Sequence, residues 1–324
     1  MPFIAKSDYS PPLLLSNGHV QTTIPTIFRK VNIAFERERI DTPDGDFLDL
    51  DWSKVKFEKL VIISHGLEGS TDRAYIKGMA RAFNAHGWDA LAWNYRGCSG
   101  VPNLKLRTYH SGATDDLETV ILHASSHDQY VELCLVGFSM GGNINLKYLG
   151  EIGDSIPGKI KSAIAFSVPC DLKSSAEKLA QFSNRIYIRR FLGMLHEKIQ
   201  LKMELFPDEI NDDGFNRIKT FKEFDDRYTA PIHGFEDAED YWRKCSSKQF
   251  LDNIRIPTLL INSKNDPFLT DSCCPIEQAQ SNPNLFLEIP ESGGHVGFIS
   301  LNSNGMYWSE SKAVSFANRQ SKQL

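Results

Sequence analysis

Three absences limit what this 324-residue chain can be. Its longest apolar runs, such as Leu60–Ile63 and Leu133–Val136, are far shorter than the roughly 20 residues that a membrane-spanning helix needs. Asp8 and Pro11 interrupt the apolar residues near the start, so we predict no signal peptide. The net charge of −5 includes no basic excess, which argues against nucleic acid as the main partner.

Cysteine is scarce, and its spacing indicates no metal or redox motif. Cys273 and Cys274 are adjacent and no CxxC pair occurs among the six cysteines, so the sequence suggests neither a zinc ribbon nor a thioredoxin-like site. We expect free thiols in a reducing compartment and predict a cytoplasmic protein. His123 and His127 stand four residues apart, a spacing that could bind a metal, but no third ligand is evident. The sequence therefore predicts no metal and no cofactor.

Short apolar runs alternate with amphipathic segments from about residue 30 onward. This alternation predicts an α/β fold in which helices cover both faces of a mostly parallel sheet. A Thr-Pro-Asp-Gly turn at residues 42–45 predicts an antiparallel hairpin of the first two strands at one edge. The eight predicted strands are Val31–Ile40, Phe47–Trp52, Leu60–Ser64, Trp88–Trp93, Glu132–Phe138, Ser162–Val168, Pro257–Asn262 and Leu285–Ile289. The predicted helices are Arg73–Ala85, Thr114–Ser125, Gly142–Leu149, Pro275–Gln280 and one near Ser309–Asn318.

One long region breaks the alternation. Residues 172–250 contain no convincing buried strand, only charged and helical sequence with several aromatics. Because so long a loop without structure would be unusual in a compact domain, we predict a helical cap inserted after the sixth strand, over the carboxyl ends of the sheet. The predicted core is then 1–171 and 251–324, with an N-terminal extension over 1–30. Four cap aromatics could line a binding site or form the core of the cap: Phe182, Tyr187, Phe191 and Phe206.

A G-x-S-x-G pentapeptide directly follows the strongest apolar run, with Ser139 at its centre. Such a serine occupies a strained strand-to-helix turn, and the crowded backbone requires glycine two residues away on either side. Gly137 and Gly141 meet this requirement. The pattern predicts that Ser139 is a nucleophile.

A second loop predicts a site for a developing oxyanion. His65 and Gly66 follow the strand Leu60–Ser64, where this kind of loop supplies one backbone donor, and the residue after the nucleophile supplies the other. The predicted donors are the N–H groups of Leu67 and Met140. We expect His65 to support the loop and not to act as a base.

The acid and the base are predicted from the last two strands. Asp266 follows the strand Pro257–Asn262, and His295 lies in the Gly-Gly-His-Val-Gly loop after the final strand. Asp271 is a competing acid, but it stands further along, where capping a helix is the simpler role. The resulting order of nucleophile, acid and base is Ser139, Asp266 and His295.

These motifs, taken together with others along the chain, resemble the YheT-like branch of the α/β hydrolases over nearly the whole sequence. The shared motifs are NGHVQT at 17–22, HGLEGS at 65–70, YRGCSG at 95–100, YHSG at 109–112, GFSMGGN at 137–143, EFDD at 223–226, APIHG at 230–234 and GGHVGF at 293–298. Members of this branch are described as esterases or lipid-acyl hydrolases, and yeast relatives also transfer acyl groups to alcohols. The resemblance implies the same triad here. It marks His19, Arg96, His110 and His233 without assigning them a role, and we interpret them as supports for loops around the site.

The sequence thus predicts a serine hydrolase that cleaves carboxylic esters with short- to medium-chain or lipid-like acyl groups through an acyl-enzyme. Three alternatives stay open. The same triad could transfer the acyl group to an alcohol, or it could cleave a thioester or amide. The chain could also be a catalytically idle ligand-binding protein on a hydrolase fold. The expected partner is a small ester or acyl lipid, and the oligomeric state is undetermined.

Overall fold

A nine-stranded sheet organises the chain in the computed structural model, which describes residues 3–4, 6–301 and 305–321. The strand order is β1-β9-β8-β7-β6-β4-β5-β3-β2, with β3 antiparallel to both of its neighbours and every other pair parallel. The strands are β1 (Phe3–Ile4), β2 (Glu36–Asp41), β3 (Phe47–Ser53), β4 (Lys59–Ser64), β5 (Asp89–Asn94), β6 (Glu132–Phe138), β7 (Ile160–Phe166), β8 (Thr258–Ile261) and β9 (Leu285–Glu288).

The predicted α/β fold and edge hairpin are confirmed, with one strand more than expected. The added strand, β1, pairs with β9 at the edge opposite β2, and its two residues are too few to leave a periodic signal. The first predicted strand is also shorter than expected, because residues 31–35 precede β2 without strand structure. All residues of β6 are buried, as expected for a strand covered on both faces.

Helices cover both faces of this sheet. Leu117 and Ile144 belong to the core on one face, whereas Phe83 and Phe316 belong to the core on the other. The helices are α1 (Gly18–Phe28), α2 (Ala74–Asn84), α3 (Thr114–Ser126), α4 (Met140–Ile152), α5 (Leu172–Ala180), α6 (Arg185–Leu205), α7 (Phe221–Phe224), α8 (Ala230–His233), α9 (Ala238–Cys245), α10 (Ile276–Ser281) and α11 (Trp308–Ser321).

Five helices, α5–α9, lie between β7 and β8, where the sequence predicts a helical insertion after its sixth strand. Their own apolar cluster includes Ile188, Leu192, Phe215 and Phe224. Asn143 on α4 joins this segment to the loop before α3, because its amide donates to the carbonyls of both Cys245 and Ser111 at 2.8 Å. We call residues 172–250 the inserted segment; the division of the chain into domains at these residues stays a prediction. No helix within the described residues combines the length and apolarity needed to cross a membrane.

A buried ion cluster around Arg96 fixes the loop that follows β5. The guanidinium, with its side chain 1% exposed, contacts Asp116 on α3 at 2.7 Å and Asp44 in the hairpin turn at 2.7 Å. Asp46 completes the cluster at 3.2 Å. Because a buried charge without partners would cost several kcal/mol, Arg96 and its carboxylates depend on one another. The cluster thereby holds the backbone of the neighbouring Tyr95, which contacts His65 at the site described next.

Candidate active site

Ser139 occupies the sharp turn between β6 and α4, as the sequence predicts. Its backbone angles are φ 53° and ψ −121°, a strained conformation for a residue with a side chain. The Ser139 N–H donates to the carbonyl of Phe166 on the neighbouring strand at 2.8 Å. Space is tight on both sides, since a Cβ at Gly137 would lie 2.5 Å from the Gly141 oxygen and a Cβ at Gly141 would lie 2.5 Å from the His65 oxygen. The two glycines thus permit the turn that lifts Ser139 off the sheet.

His295 and Asp266 lie in hydrogen-bonding contact with this serine. His295 Nε2 is 2.9 Å from Ser139 Oγ, and His295 Nδ1 is 2.9 Å from Asp266 Oδ2 and 3.1 Å from Oδ1. An ionised carboxylate only accepts hydrogen bonds, so it selects the tautomer with a proton on Nδ1. Nε2 is then free to accept the Ser139 hydroxyl proton.

Asp266 sits in a closed environment beside the imidazole. Its side chain has no solvent exposure, and the Phe268 N–H donates to Oδ1 at 2.9 Å. The Phe268 ring packs against His295 with centroids 4.3 Å apart. Asp271, the competing candidate, is exposed at the start of a short 3₁₀ helix and does not contact His295. The N-cap position there is Thr270, and no side chain among the described residues caps this helix.

Two residues that the sequence analysis did not single out hold the histidine loop. Thr22 on α1 accepts a hydrogen bond from the His295 N–H at 2.9 Å, and Ser167 accepts one from the Val296 N–H at 2.9 Å. Val296 has a positive φ of 61°, so the loop needs such restraint. Thr22 is the last residue of the NGHVQT motif, and this motif was the sequence feature that could have pointed to it.

The two predicted oxyanion donors flank Ser139. Leu67 lies inside a turn that is closed by a hydrogen bond from the Gly69 N–H to the Gly66 oxygen at 3.0 Å. The Leu67 N–H takes no part in this closing bond. Met140 begins α4, so its N–H is among the first four of the helix that lack an intrahelical acceptor. Gly66 brings the loop close, because a Cβ there would lie 3.1 Å from Ser139 Cβ.

His65 is fully buried beneath this loop. Its Nδ1–H donates to the Gly66 oxygen at 2.8 Å, and its Nε2 accepts from the Tyr95 N–H at 3.3 Å. Burial lowers the pKa of His65 to about 3, outweighing the opposing effect of the bond to Gly66. A neutral imidazole with both ring nitrogens hydrogen-bonded joins the backbone of this loop to the backbone after β5.

The remaining marked residues have different surroundings. Arg96 lies in the buried ion cluster, and exposed His19 stacks on Tyr187 with centroids 5.7 Å apart. His110 and His233 pack together with centroids 4.5 Å apart. Burial lowers the pKa of His233 to about 4. Within the group, only His110 lines the apolar cavity beside Ser139 that lies under the inserted segment.

Two cavities reach Ser139 and His295 from different sides. The first, about 140 Å³, runs under the inserted segment and is mostly apolar, with walls that include Leu172, Leu179, Phe191, Leu195, Ile199 and Trp242. The second, about 230 Å³, lies between α1 and α6 and includes Pro25, Ile27, Tyr187 and Met194 in its walls. Of the four cap aromatics, Phe191 and Tyr187 therefore line cavities, Phe206 packs against the apolar cluster of the inserted segment and Phe182 is exposed.

Comparison with known proteins identifies the family and supports the fold. The sequence profile that describes the α/β hydrolase fold matches residues 59–300. The Escherichia coli (strain K12) protein YheT, provisionally named an esterase, is 34% identical over 304 residues, which is 92% of this chain and 88% of that protein. Human phospholipase ABHD3 is 31% identical over 307 residues, covering 91% of this chain and 75% of that protein. An esterase structure from Pyrococcus furiosus superposes with a TM-score of 0.60 at 17% identity, covering 88% of this chain and 91% of that chain.

The profile match and these identities show that the chain belongs to the α/β-hydrolase family. Within it, the chain belongs to the YheT-like branch, as the sequence motifs predict.

His65 should make folding stability depend on pH. The unfolded imidazole has its ordinary pKa near 6.5, whereas the pKa of folded His65 is about 3. Between these values only the unfolded chain binds the proton, so the contribution of His65 is complete above pH 6.5 and is lost as the pH falls toward 3. In urea unfolding, His65→Gln should show a slope against pH that is shallower by up to about 1.4 kcal/mol per pH unit.

The control for this experiment is Gln249→Ala, which replaces an exposed side chain that does not titrate and should leave the wild-type slope unchanged. Equal slopes for His65→Gln and the wild type between pH 6.5 and 4 would show that His65 takes up a proton in the folded protein.

Proposed function

We propose that this protein is a serine esterase with Ser139 as nucleophile, His295 as general base and Asp266 as the acid that orients the base. The observation that carries the proposal is the continuous contact from Asp266 through His295 to Ser139, with 2.9 Å between each pair of atoms. Both distances lie within the range for a nucleophile and its base. The relatives named as esterase and phospholipase support an ester as the substrate.

Acylation would begin when the Ser139 hydroxyl attacks the ester carbonyl carbon. The hydroxyl proton passes to His295 Nε2, and the electron pair of the carbonyl moves to its oxygen. Asp266 stabilises the resulting imidazolium. Backbone N–H groups of Leu67 and Met140 would receive the oxyanion, and each such donor contributes about 3 kcal/mol to the transition state.

The cycle would then release the alcohol and the acid in turn. The tetrahedral intermediate collapses, the carbon–oxygen bond to the alcohol breaks, and the leaving oxygen takes the proton from His295. Water loses a proton to His295, attacks the acyl-enzyme and frees the carboxylic acid while Ser139 regains its proton. Every proton in this cycle passes through His295, and the two backbone donors only stabilise the oxyanion.

The apolar cavity under the inserted segment supports an acyl chain as the part of the substrate bound there. Its aliphatic and aromatic walls offer burial worth about 25 cal/mol per Å² of apolar surface. The cavity between α1 and α6 opens on the same two catalytic atoms and would admit the alcohol part or the attacking water. We infer that the substrate is a small ester or acyl lipid with a short- to medium-chain acyl group.

Replacement of the nucleophile is the first test. Ser139→Ala should lower kcat for p-nitrophenyl butyrate by about 10⁴-fold or more, because triad members act as a unit. The fold should persist, since alanine keeps the small side chain at the strained turn, and circular dichroism would verify this.

Ser281→Ala on the exposed end of α10 is the matched control, and its kcat should equal that of the wild type. Turnover by folded Ser139→Ala at the wild-type rate would remove Ser139 from the proposed role.

The acyl cavity is tested by narrowing it from one wall. Ala176 on α5 lines this cavity, whereas Ala180 on the same helix is exposed outside it. Ala176→Phe should reduce the kcat/KM ratio of p-nitrophenyl octanoate to p-nitrophenyl acetate by at least about tenfold, since each buried methylene that loses its site costs about 1 kcal/mol or more.

Ala180→Phe should leave that ratio at the wild-type value. An unchanged ratio in a folded Ala176→Phe variant would mean that the acyl chain binds elsewhere.

A further inference from the structure

Three metal-binding side chains converge at the β2 edge of the sheet, outside the proposed active site. Glu38 lies on β2, and His123 and His127 lie at the carboxyl end of α3. One ligand atom of each lies within 4.8 Å of the other two, and His123 Nε2 is 3.1 Å from Glu38 Oε2. The sequence analysis found no third ligand for the two histidines. In the structure Glu38, which lies 85 positions before His123, takes that place.

The geometry of α3 brings the two imidazoles together. Residues four apart on a helix lie on the same face, and the His123 and His127 rings are 5.2 Å apart. Two imidazole nitrogens with one carboxylate oxygen suit divalent transition metals such as Zn²⁺, Co²⁺ and Ni²⁺. Mg²⁺ and Ca²⁺ prefer sites made wholly of oxygen, so this donor set disfavours them.

Neighbouring side chains hold the three groups in place. The Trp52 indole N–H donates to Glu38 Oε2 at 2.7 Å. The Trp52 ring also meets the His127 ring edge-on with centroids 5.4 Å apart, and it stacks on Tyr130. Such contacts around ligating groups fix their orientation before a metal arrives.

His127 Nε2 is a polar atom without a partner. It is shielded from solvent and makes no hydrogen bond within the described residues, although buried polar atoms are normally paired. A shielded ring nitrogen without a hydrogen-bond partner, within reach of a second imidazole and a carboxylate, is thus available to a metal ion.

We propose that Glu38, His123 and His127 bind one divalent transition-metal ion, with water in the remaining coordination position. The site would connect the edge strand β2 to α3. α3 runs from the Ser111 side of the molecule toward the start of β6, whereas Ser139 follows the end of that strand, so the end of α3 lies at the opposite end of the strands from Ser139. The ion would thus stabilise the fold and take no part in ester cleavage, so this inference is independent of the proposed function.

The test is a titration of untagged, EDTA-treated full-length protein with Co²⁺, followed by visible absorption and calorimetry. We expect one ion per chain, with weak visible bands of nitrogen and oxygen ligation. Removal of supporting groups around a metal costs about 10–100-fold in affinity, so loss of a ligand in His127→Ala or Glu38→Gln should cost about 100-fold or more. Zn²⁺ should raise the melting temperature of the wild type but of neither variant.

His196→Ala is the matched control, because it removes a histidine paired with a single carboxylate, Asp212, at 2.8 Å. This variant should bind Co²⁺ as the wild type does. If His127→Ala does not fold, Glu38→Gln decides, since its amide can still accept the Trp52 hydrogen bond. Three results would each overturn the proposal. These are wild-type affinity for Co²⁺ in the folded Glu38→Gln variant, an intense near-ultraviolet thiolate band, and no Co²⁺ binding by the wild type.

Discussion

The strained turn at Ser139 is the constraint on which the rest of the site depends. A serine at φ 53° costs about 1–3 kcal/mol, and the turn persists because β6 is buried on both faces and neighbouring backbone encloses it. The same crowding excludes side chains at Gly137 and Gly141 and brings the loop at Gly66 within van der Waals distance. The turn thereby places Ser139 Oγ, the start of α4 and the loop after β4 next to one another.

The second half of the site is held from outside the sheet. His295 stands on a loop with a positive φ at Val296, and its backbone is held by Thr22, which lies more than 270 residues earlier on α1. The N-terminal helix therefore belongs to the site, since it restrains the histidine and walls the second cavity. The inserted segment covers the other side. Two elements outside the sheet thus line the two cavities, while loops at the strand ends carry the residues of the proposed triad.

The strands and the positions of the three residues of the proposed triad could be predicted because each depends on local sequence. Buried parallel strands are apolar runs, and the turn at Ser139 demands glycines at fixed spacing. Contacts between residues that are far apart in the sequence produce no such local pattern. Thr22 and Ser167 act through single hydrogen bonds, β1 is two residues long, and Glu38 joins His123 only because β2 lies beside α3. The lining of the cavities likewise follows from the packing of α5–α9, which periodicity alone does not determine.

The central claim is that Ser139 is the nucleophile, and the most direct measurement is mass spectrometry of the protein after reaction with a fluorophosphonate. Such reagents bond covalently to a serine that an adjacent base activates. The account predicts one phosphonate per chain, located by peptide fragmentation on Ser139. A folded protein that remains unlabelled, or one labelled at a different serine, would contradict it.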